Sequence, residues 1–570
     1  MFFLLKYIGK YKWFATLAPL FKMLEAIFEL LVPLVVADMI DNGIGKNDPQ
    51  HIIICGLLLL ALAVLGMAVS ITAQFFAAKA AILSTKDMRR DVYAHIMDFS
   101  EASMDKTGAS ALLTRLTSDL NQVMGGINMV LRLFLRSPFV VFGAMIMAGT
   151  ISLRALALFA IVIALLGGFT AILMHTTIPM YTNVQNRLEG LITLTRENLE
   201  GARVIRAFVR DDKEREEFDR RNDRLRANAY KAGGYQSFLN PVTFVLVNMG
   251  IVVLLYTSGL QVNAGTLTTG EAVALYNYMS QILVELIKFA NLIVQITRAW
   301  ASVIRVREVM EMTADERSHI PDDEPFDLSC ETAIDFSNVT FSYNKNESRN
   351  ALEELTFCVP KNSTLGIVGG TGSGKSTITR LIRHAYDASA GTVRLFGRDV
   401  RRVSDSELSS IISNVPQKVT LFSGTVAENM RLGNKDASDE EIIEALKKAK
   451  AYDFVMEKNG LATEVAPGGT NFSGGQRQRL SIARAIVSHP KILILDDSTS
   501  ALDAATERAL LGELMAQKEL TIIIISQRST SVSWCDRILV MEDGWCIGSG
   551  TDSWLIKNNE VYREIVEAGR

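Results

Sequence analysis

Residues 368–377, VGGTGSGKST, decide how the rest of this chain is read. They follow a short apolar run, Leu365-Gly366-Ile367-Val368, and precede a segment with helical spacing at Ile378, Leu381 and Ile382. Strand, glycine-rich loop and helix in that order carry Gly369, Gly374, Lys375 and Ser376 at the spacing G-x-x-x-x-G-K-[ST]. Gly369, Gly370, Gly372 and Gly374 let backbone N–H groups curl around phosphate oxygens without Cβ clashes, and Thr371, Ser373 and Thr377 complete the cradle. Lys375 is expected to reach the β- and γ-phosphates and Ser376 to ligate Mg²⁺, with the helix N-terminus adding positive potential. The stretch predicts a nucleoside triphosphate site.

Outward from that loop, the bulk numbers call for more than one domain. The chain has 570 residues, 49% of them hydrophobic and 21% charged, with a mean hydropathy of +0.20. That is too apolar for a soluble protein throughout and too charged for membrane spans alone. A net charge of −3 argues against a nucleic-acid partner. Five scattered cysteines with no CxxC pair read as free thiols of a reducing compartment. The N-terminus, MFFLLKYIGKYKWF, has three lysines but no small-residue cleavage pattern and reads as an amphipathic cytoplasmic lead-in.

Before residue 312 the sequence is dominated by long apolar runs. Residues 52–78, 155–177 and 232–270 carry no Asp, Glu, Lys or Arg, and a shorter uncharged run covers 137–153. Two more runs, 14–40 and 272–297, are mainly apolar but hold internal charges. The expectation is six spans, near 14–40, 52–80, 130–153, 155–177, 236–260 and 270–300. Long basic connections follow spans two and four (Lys86, Arg89, Arg90, Arg115; Arg203, Arg206, Arg210, Lys213), which puts both termini and these connections in the cytoplasm. The connections read as helices continuing beyond the bilayer, each turning round through a short element near residues 104–106 and 210–212. Inside the spans, Lys22, Glu25 and Glu29 share one helix face, and Glu285 and Lys288 repeat the spacing. They are either internal ion pairs or the wall of a water-filled substrate cavity.

Composition shifts near residue 310. Residues 313–330 are polar, acidic and contain two prolines, a linker. After it, short apolar strands alternate with helical segments, the pattern of an α/β domain. The expected organisation is an all-α six-helix transmembrane domain over 1–312, the linker, and an α/β phosphate-loop domain over 331–570.

Further elements stand in fixed order around the phosphate loop: Tyr343 in VTFSY, Gln417 in SNVPQ, NFSGGQ at 471–476, KILILDD at 491–497, SALD at 500–503, and Gln527 after the strand 521–526. With these the chain resembles the ATP-binding cassette transporters over essentially its whole length, since six spans followed by one cassette is the layout of an exporter half-transporter. The resemblance implies that Tyr343 stacks on adenine, that Gln417 contacts Mg²⁺ and the attacking water, that Asp496 holds Mg²⁺, and that Asp503 lies in the loop crossing to an opposite site. It implies that Ser473, Gly474, Gly475 and Gln476 grip the γ-phosphate of ATP held by a second cassette. Two positions depart from the family. Asp497 stands where glutamate orients the attacking water, and Gln527 where a histidine touches the γ-phosphate. One methylene moves the carboxylate back by about 1.5 Å, and a displacement of ~1 Å can cost ~10²-fold. Glutamine keeps a donor but no charge.

These departures suggest a site that binds ATP and hydrolyses it poorly, beside an intact signature. The resemblance therefore implies one subunit of a heterodimeric, multidrug-type exporter in the cell membrane, driven by ATP and Mg²⁺ and moving small or amphipathic, lipid-like molecules. A nucleotide-gated membrane regulator and a slow homodimeric exporter are the alternatives.

Overall fold

The computed structural model describes residues 2–315, 317–318, 320, 326–343 and 349–568. Both prolines of the expected linker, Pro321 and Pro325, lie outside the described residues. The chain divides into two compact units. One comprises Met1–Met97 and Gly108–Met312; the other comprises Asp98–Thr107 and Thr313–Arg570. The stretch read as a linker thus belongs to the second unit, held there by Ile320 N–H on the Arg401 carbonyl (2.9 Å) and by Arg317 on Asp405 and the His384 carbonyl. So does the first turnaround, Asp98–Thr107, which the sequence had grouped with the spans.

The first unit is helical. Its elements are α1 (Phe2–Lys10), α2 (Lys12–Asp38), α3 (Pro49–Met97), and, after the α4 helix (Glu101–Thr107) of the other unit, α5 (Ala109–Thr114), α6 (Leu120–Met129), α7 (Arg136–Ile151), α8 (Leu153–Glu200), α9 (Ala202–Ala207), α10 (Asp211–Ser237), α11 (Leu239–Asn263) and α12 (Thr269–Glu311). Short π-helical turns join α5, α6 and α7 into one rod. Among the described residues four helices are long and apolar enough to cross a membrane: Pro49–Met97, Ala109–Ile151, Leu153–Glu200 and Asp211–Asn263. The α2 and α12 helices have the length, 27 and 43 residues, but their internal charges lower their hydropathy. At 49 and 48 residues α3 and α8 run far past the roughly 20 residues that cross a bilayer. Ile53, Leu57, Leu60, Val64 and Ile71 are exposed on α3, which suits a face meeting lipid.

Large apolar residues of α12 organise the helical core: Leu275, Tyr278, Met279 and Ile282 pack with Phe159 and Leu166 of α8 and Val247 and Leu254 of α11. Tyr278 sends its hydroxyl to the Leu30 carbonyl of α2 at 2.8 Å, so its one polar atom is satisfied in the core. The start of α12 is fixed by a capping box between Thr268 and Glu271.

The second unit is α/β. Strands β1 (Thr332–Phe341), β2 (Leu352–Pro360), β4 (Ala390–Leu395) and β5 (Arg398–Asp399) form an antiparallel sheet in the order β2-β1-β4-β5. A six-stranded sheet runs β12-β11-β3-β10-β9-β6, from β3 (Thr364–Gly369), β6 (Ile412–Val415), β9 (Ile492–Asp496), β10 (Thr521–Ile525), β11 (Arg537–Glu542) and β12 (Trp545–Gly550). All its pairings are parallel except that of β11 with β12. The near-continuous apolar runs, ILIL at 492–495 and IIII at 522–525, follow from burial on both faces. Strands β7 (Gly424–Thr425) and β8 (Glu464–Val465) pair separately. Helix α13 (Lys375–Ile382) leaves β3 through the glycine-rich loop.

Candidate nucleotide site and charged cavity

Parallel register places the nucleotide residues together. Ile525 of β10 is paired with both Ile367 of β3 and Asp496 of β9, and Val415 of β6 with Leu495 of β9. The loops leaving β3, β9, β10 and β6 therefore emerge at one edge of the sheet, where ligands bind in open parallel sheets. Gly369–Lys375, Asp496–Asp497, Gln527 and Gln417 all sit on those loops.

The glycine loop has no room for side chains where it must turn. At Gly369 a Cβ would lie 2.1 Å from the Met541 carbonyl oxygen, and at Gly374 (φ 94°) it would lie 2.6 Å from that of Ala351. Lys375 is buried and its Nζ donates to the carbonyls of Gly369 (2.9 Å) and Gly370 (2.5 Å) and to Ser373 Oγ (3.2 Å). The cation thus holds the loop curled before any phosphate arrives. Burial pulls its pKa below the ordinary lysine range, with Asp496 and Asp497 opposing.

Ser376 Oγ donates to Asp496 Oδ1 at 3.2 Å, two hard oxygen ligands side by side as Mg²⁺ requires. Burial raises the Asp496 carboxyl, against the Ser376 hydrogen bond. Gln417 Nε2 donates to Asp497 Oδ2 at 3.1 Å, and Asp497 takes the left-handed backbone region (φ 48°). Its carboxyl is likewise raised by burial, against the bond from Gln417. Tyr343, 45% exposed, bonds Thr377 Oγ1 at 3.1 Å and lies edge-on to Tyr386, with Arg380 over its ring at 5.5 Å. Gln527 is exposed beside the site.

The signature lies apart from these groups. Ser473 caps helix Gly474–Val487 and accepts from Gln476 N–H, with Gln476 returning to the Ser473 N–H. Phe472 is buried against Phe454 with Lys458 over its ring at 4.3 Å. At Gly475 a Cβ would stand 3.0 Å from the Ala501 carbonyl, so the crossing loop runs directly over the signature turn. Gln478 fastens the two: its Oε1 accepts from Ala501 N–H (3.0 Å) and its Nε2 donates to Ser500 Oγ (3.3 Å). Asp503 spends its carboxylate capping the next helix, accepting from Thr506 N–H at 3.0 Å.

Sequence reasoning missed two groups. The first is an acidic face on α4. Glu101 pairs with Arg383 (3.3 Å) and Arg380 (3.5 Å), and Asp105 pairs with Arg380 (3.5 Å) and accepts from the Tyr386 hydroxyl (2.8 Å). Arg380 lies on α13, the helix that Lys375 opens, and the other two follow its end. The spacing Glu101/Asp105 (i, i+4) was the only signal.

The second is Arg136, the charge immediately ahead of the apolar run 137–153. It is buried and bonds Glu29 (2.6 Å) and Glu285 (2.6 Å), with Glu25 at 3.9 Å. Ser137 Oγ donates to Glu285 Oε2 (2.8 Å), Lys288 pairs with Glu285 (2.8 Å), and Lys22 pairs with Glu25 (2.5 Å) and donates to Ser70 (3.1 Å). The five residues read from sequence are thus one network with Arg136 at its centre. Beside it lies a cavity of about 320 Å³ lined by Glu25, Glu29, Arg136, Phe28, Leu62 and Met67. Glu285 is locked in pairing, whereas Glu25 and Glu29 also line the cavity.

Family models match two parts of the chain: an ABC transporter transmembrane region over residues 16–286 and an ABC transporter model over 352–500. An uncharacterised ABC transporter ATP-binding protein of Bacillus subtilis (strain 168), YfiB, is 34% identical over 565 residues, 99% of this chain and 98% of that protein. An ATP-dependent lipid A-core flippase of Salmonella typhimurium is 29% identical over 552 residues, 95% of this chain and 93% of that protein. In fold, the chain is similar to a solved bacterial Atm1-family ABC exporter with ATP bound, with a TM-score of 0.78, 22% identity and 96% of each chain covered.

Proposed function

Because this chain belongs to the ATP-binding cassette transporters, as an exporter half-transporter with a helical membrane region and an ATP-binding domain, we propose that it works as one subunit of a heterodimeric exporter. In this reading α2 and α12 complete six spans, both termini and the ATP-binding domain are cytoplasmic, and this chain carries the weaker of two ATP sites. The observation that carries the reading is Asp497, a methylene shorter than glutamate and engaged by Gln417, on the same sheet edge as the uncharged Gln527. Docking of α4 on Arg380, Arg383 and Tyr386 ties a turnaround of the membrane helices to the helix that receives the triphosphate.

Lys375 exchanges loop carbonyls for β- and γ-phosphate oxygens. Ser376 and Asp496 would hold Mg²⁺, which would neutralise phosphate charge when bound. Tyr343 turns from Thr377 toward the adenine. Asp497, shorter than glutamate and engaged by Gln417, holds the attacking water poorly, and Gln527 brings no charge to the γ-phosphate. Ser473, exposed, and Gln476, half-buried, stand at a helix start and fit a role on the second subunit's ATP. ATP between two cassettes favours their closed arrangement, and hydrolysis at the partner's site resets it.

For cargo, the network has three cations (Lys22, Arg136, Lys288) and three anions (Glu25, Glu29, Glu285), so it sums to zero. A neutral, mixed wall beside Phe28, Leu62 and Met67 suits an amphipathic or lipid-like molecule. The relative named as a lipid A-core flippase fits that class.

The experiment is ATP hydrolysis and transport in proteoliposomes, with this chain alone and with a second half-transporter, and with Asp497→Glu. Turnover and transport only with the second chain sustain the proposal. ATP turnover by the pair without vectorial movement of any amphipathic probe would favour the nucleotide-gated regulator, which the weak site also suits. Robust turnover by this chain alone would make it a homodimeric exporter and overturn the weak-site assignment.

A further inference from the structure

At the junction of α2 and α3, far along the chain from every nucleotide residue, three side chains of different ligand type converge. His51 and Cys55 are four residues apart and so share one face of α3. Asp38 closes α2 opposite them. Its Oδ2 lies 2.9 Å from His51 Nε2 and 3.6 Å from Cys55 Sγ, and the three ligand atoms all lie within 4.8 Å of one another. It is the one such grouping of three among the described residues.

The surroundings hold these groups in place. Asn42 Nδ2 donates to Asp38 Oδ1 at 2.6 Å, which occupies one carboxylate oxygen and leaves Oδ2 toward His51 and Cys55. Asp48 accepts from the N–H groups of Gln50 and His51 and so fixes the first turn of α3. The link from α2 is a π-helix, Met39–Ile44, whose Asp41 accepts from Thr268 Oγ1 (2.5 Å) and Gly270 N–H (2.8 Å) at the start of α12. No Cβ fits at Gly270, where it would stand 2.2 Å from the Ala37 carbonyl oxygen. Cys55 is 3% exposed, whereas the side chains of His51 and Asp38 are 31% and 46% exposed. The cluster has a buried floor and an open mouth.

We propose that Asp38, His51 and Cys55 form a binding site for a divalent transition-metal ion of the zinc type. Bonds of about 2.0–2.3 Å at tetrahedral angles put ligand atoms about 3.3–3.6 Å apart, within a few tenths of an ångström of the spacings around Asp38 Oδ2. A thiolate and an imidazole select a borderline ion over Mg²⁺ or Ca²⁺, and a carboxylate with imidazole disfavours a purely soft ion. Thiolate and carboxylate together cancel a 2+ charge. On binding, the Cys55 thiol loses its proton to water as the S–metal bond forms, so affinity falls as pH falls. Asn42 orients the carboxylate as an outer partner. Three protein ligands leave a fourth position for water. The ion pins the end of α2 to α3 next to the α12 start.

The test uses the full chain without a polyhistidine tag, in detergent, stripped with chelator and then titrated with Zn²⁺ and Co²⁺. One ion per chain is expected, with a thiolate-to-cobalt absorption band. Cys55→Ser, His51→Ala and Asp38→Asn should each weaken binding at least ~100-fold, and Asn42→Ala ~10-fold. Zn²⁺ should also protect Cys55 from alkylation in the wild-type chain, read by peptide mass spectrometry, a result independent of variant folding. No stoichiometric binding, a cobalt spectrum without the thiolate band, or loss on Cys55→Ser alone would each overturn the proposal. The last would show a reactive thiol and not a three-ligand site.

Discussion

Glu101→Gln combined with Asp105→Asn keeps the shape of α4 and removes its charge. Three ion contacts at 3.3–3.5 Å disappear, all between side chains a third to a half exposed. Solvent screening limits each to about 0.2–1 kcal/mol. The Tyr386 hydroxyl loses a charged acceptor at 2.8 Å, worth about another 0.5–1 kcal/mol. The sum is about 2 kcal/mol, or ~30-fold in the docking equilibrium. Backbone contacts persist, Ser100 N–H to the Ala314 carbonyl at 2.8 Å and Ser103 Oγ to that of Thr313 at 3.3 Å, so α4 is loosened and not released. The assay is molecules transported per ATP hydrolysed, in proteoliposomes. Basal hydrolysis and nucleotide affinity should stay near wild type while that ratio falls several-fold. High salt should lower the wild-type ratio in the same direction, because exposed pairs are screened. An unchanged ratio, or parallel loss of nucleotide affinity and transport, would refute the argument that α4 transmits the nucleotide state.

Arg136→Met leaves buried Glu285 with Lys288 as its remaining cation, so the cost falls toward the low end of about 3–5 kcal/mol; thermal unfolding should show a clear loss, most of it recovered in Arg136→Met/Glu285→Gln. By contrast, Glu25→Gln should alter cargo preference while leaving basal ATP hydrolysis intact, since Glu25 also lines the cavity; equal loss of expression and hydrolysis would make it structural. Asp497→Glu with Gln527→His should raise single-turnover hydrolysis by ~10²-fold; no gain would place the defect elsewhere. Asp405 is held below the usual carboxylate range chiefly by its bond to Arg317, and Asp315 likewise. A depressed folded value gives stability that is complete above about pH 4 and is lost as pH falls through that lower value. Arg317→Met should therefore flatten acid unfolding of the ATP-binding unit below about pH 4, by no more than about 1 kcal/mol given the exposure of Asp405.

The nucleotide residues were legible because a phosphate loop is local: Gly369, Gly374, Lys375 and Ser376 act within eight residues, and their strand–loop–helix context is short-range. Helix Gly474–Val487 was legible for the same reason, through its cap and the proline after it. Spans without charge could be read from composition. What could not be read depended on partners distant in sequence. Arg136 meets Glu29 and Glu285 across 107 and 149 residues, and nothing in its neighbourhood signals them. Glu101 and Asp105 resembled a solvated turn until Arg380 and Arg383 were brought to them. Composition alone likewise says nothing of Arg317, which clamps Asp315 at the start of the stretch read as a linker.

Assignment of Asp98–Thr107 to the unit that otherwise begins at Thr313 has a consequence for how the molecule is made. A ribosome completes α4 about 275 residues before its docking surface at Arg380–Tyr386 exists. At ~5–20 residues per second that is an interval of about 14–55 s in which the acidic turn has no mate. Assembly of the ATP-binding unit is therefore a checkpoint on the membrane helices already inserted, because only correctly hairpinned α3 and α5 deliver α4 to Arg383. A chain truncated before the phosphate loop would leave α4 exposed, a mark by which quality control can tell an unfinished transporter from a complete one.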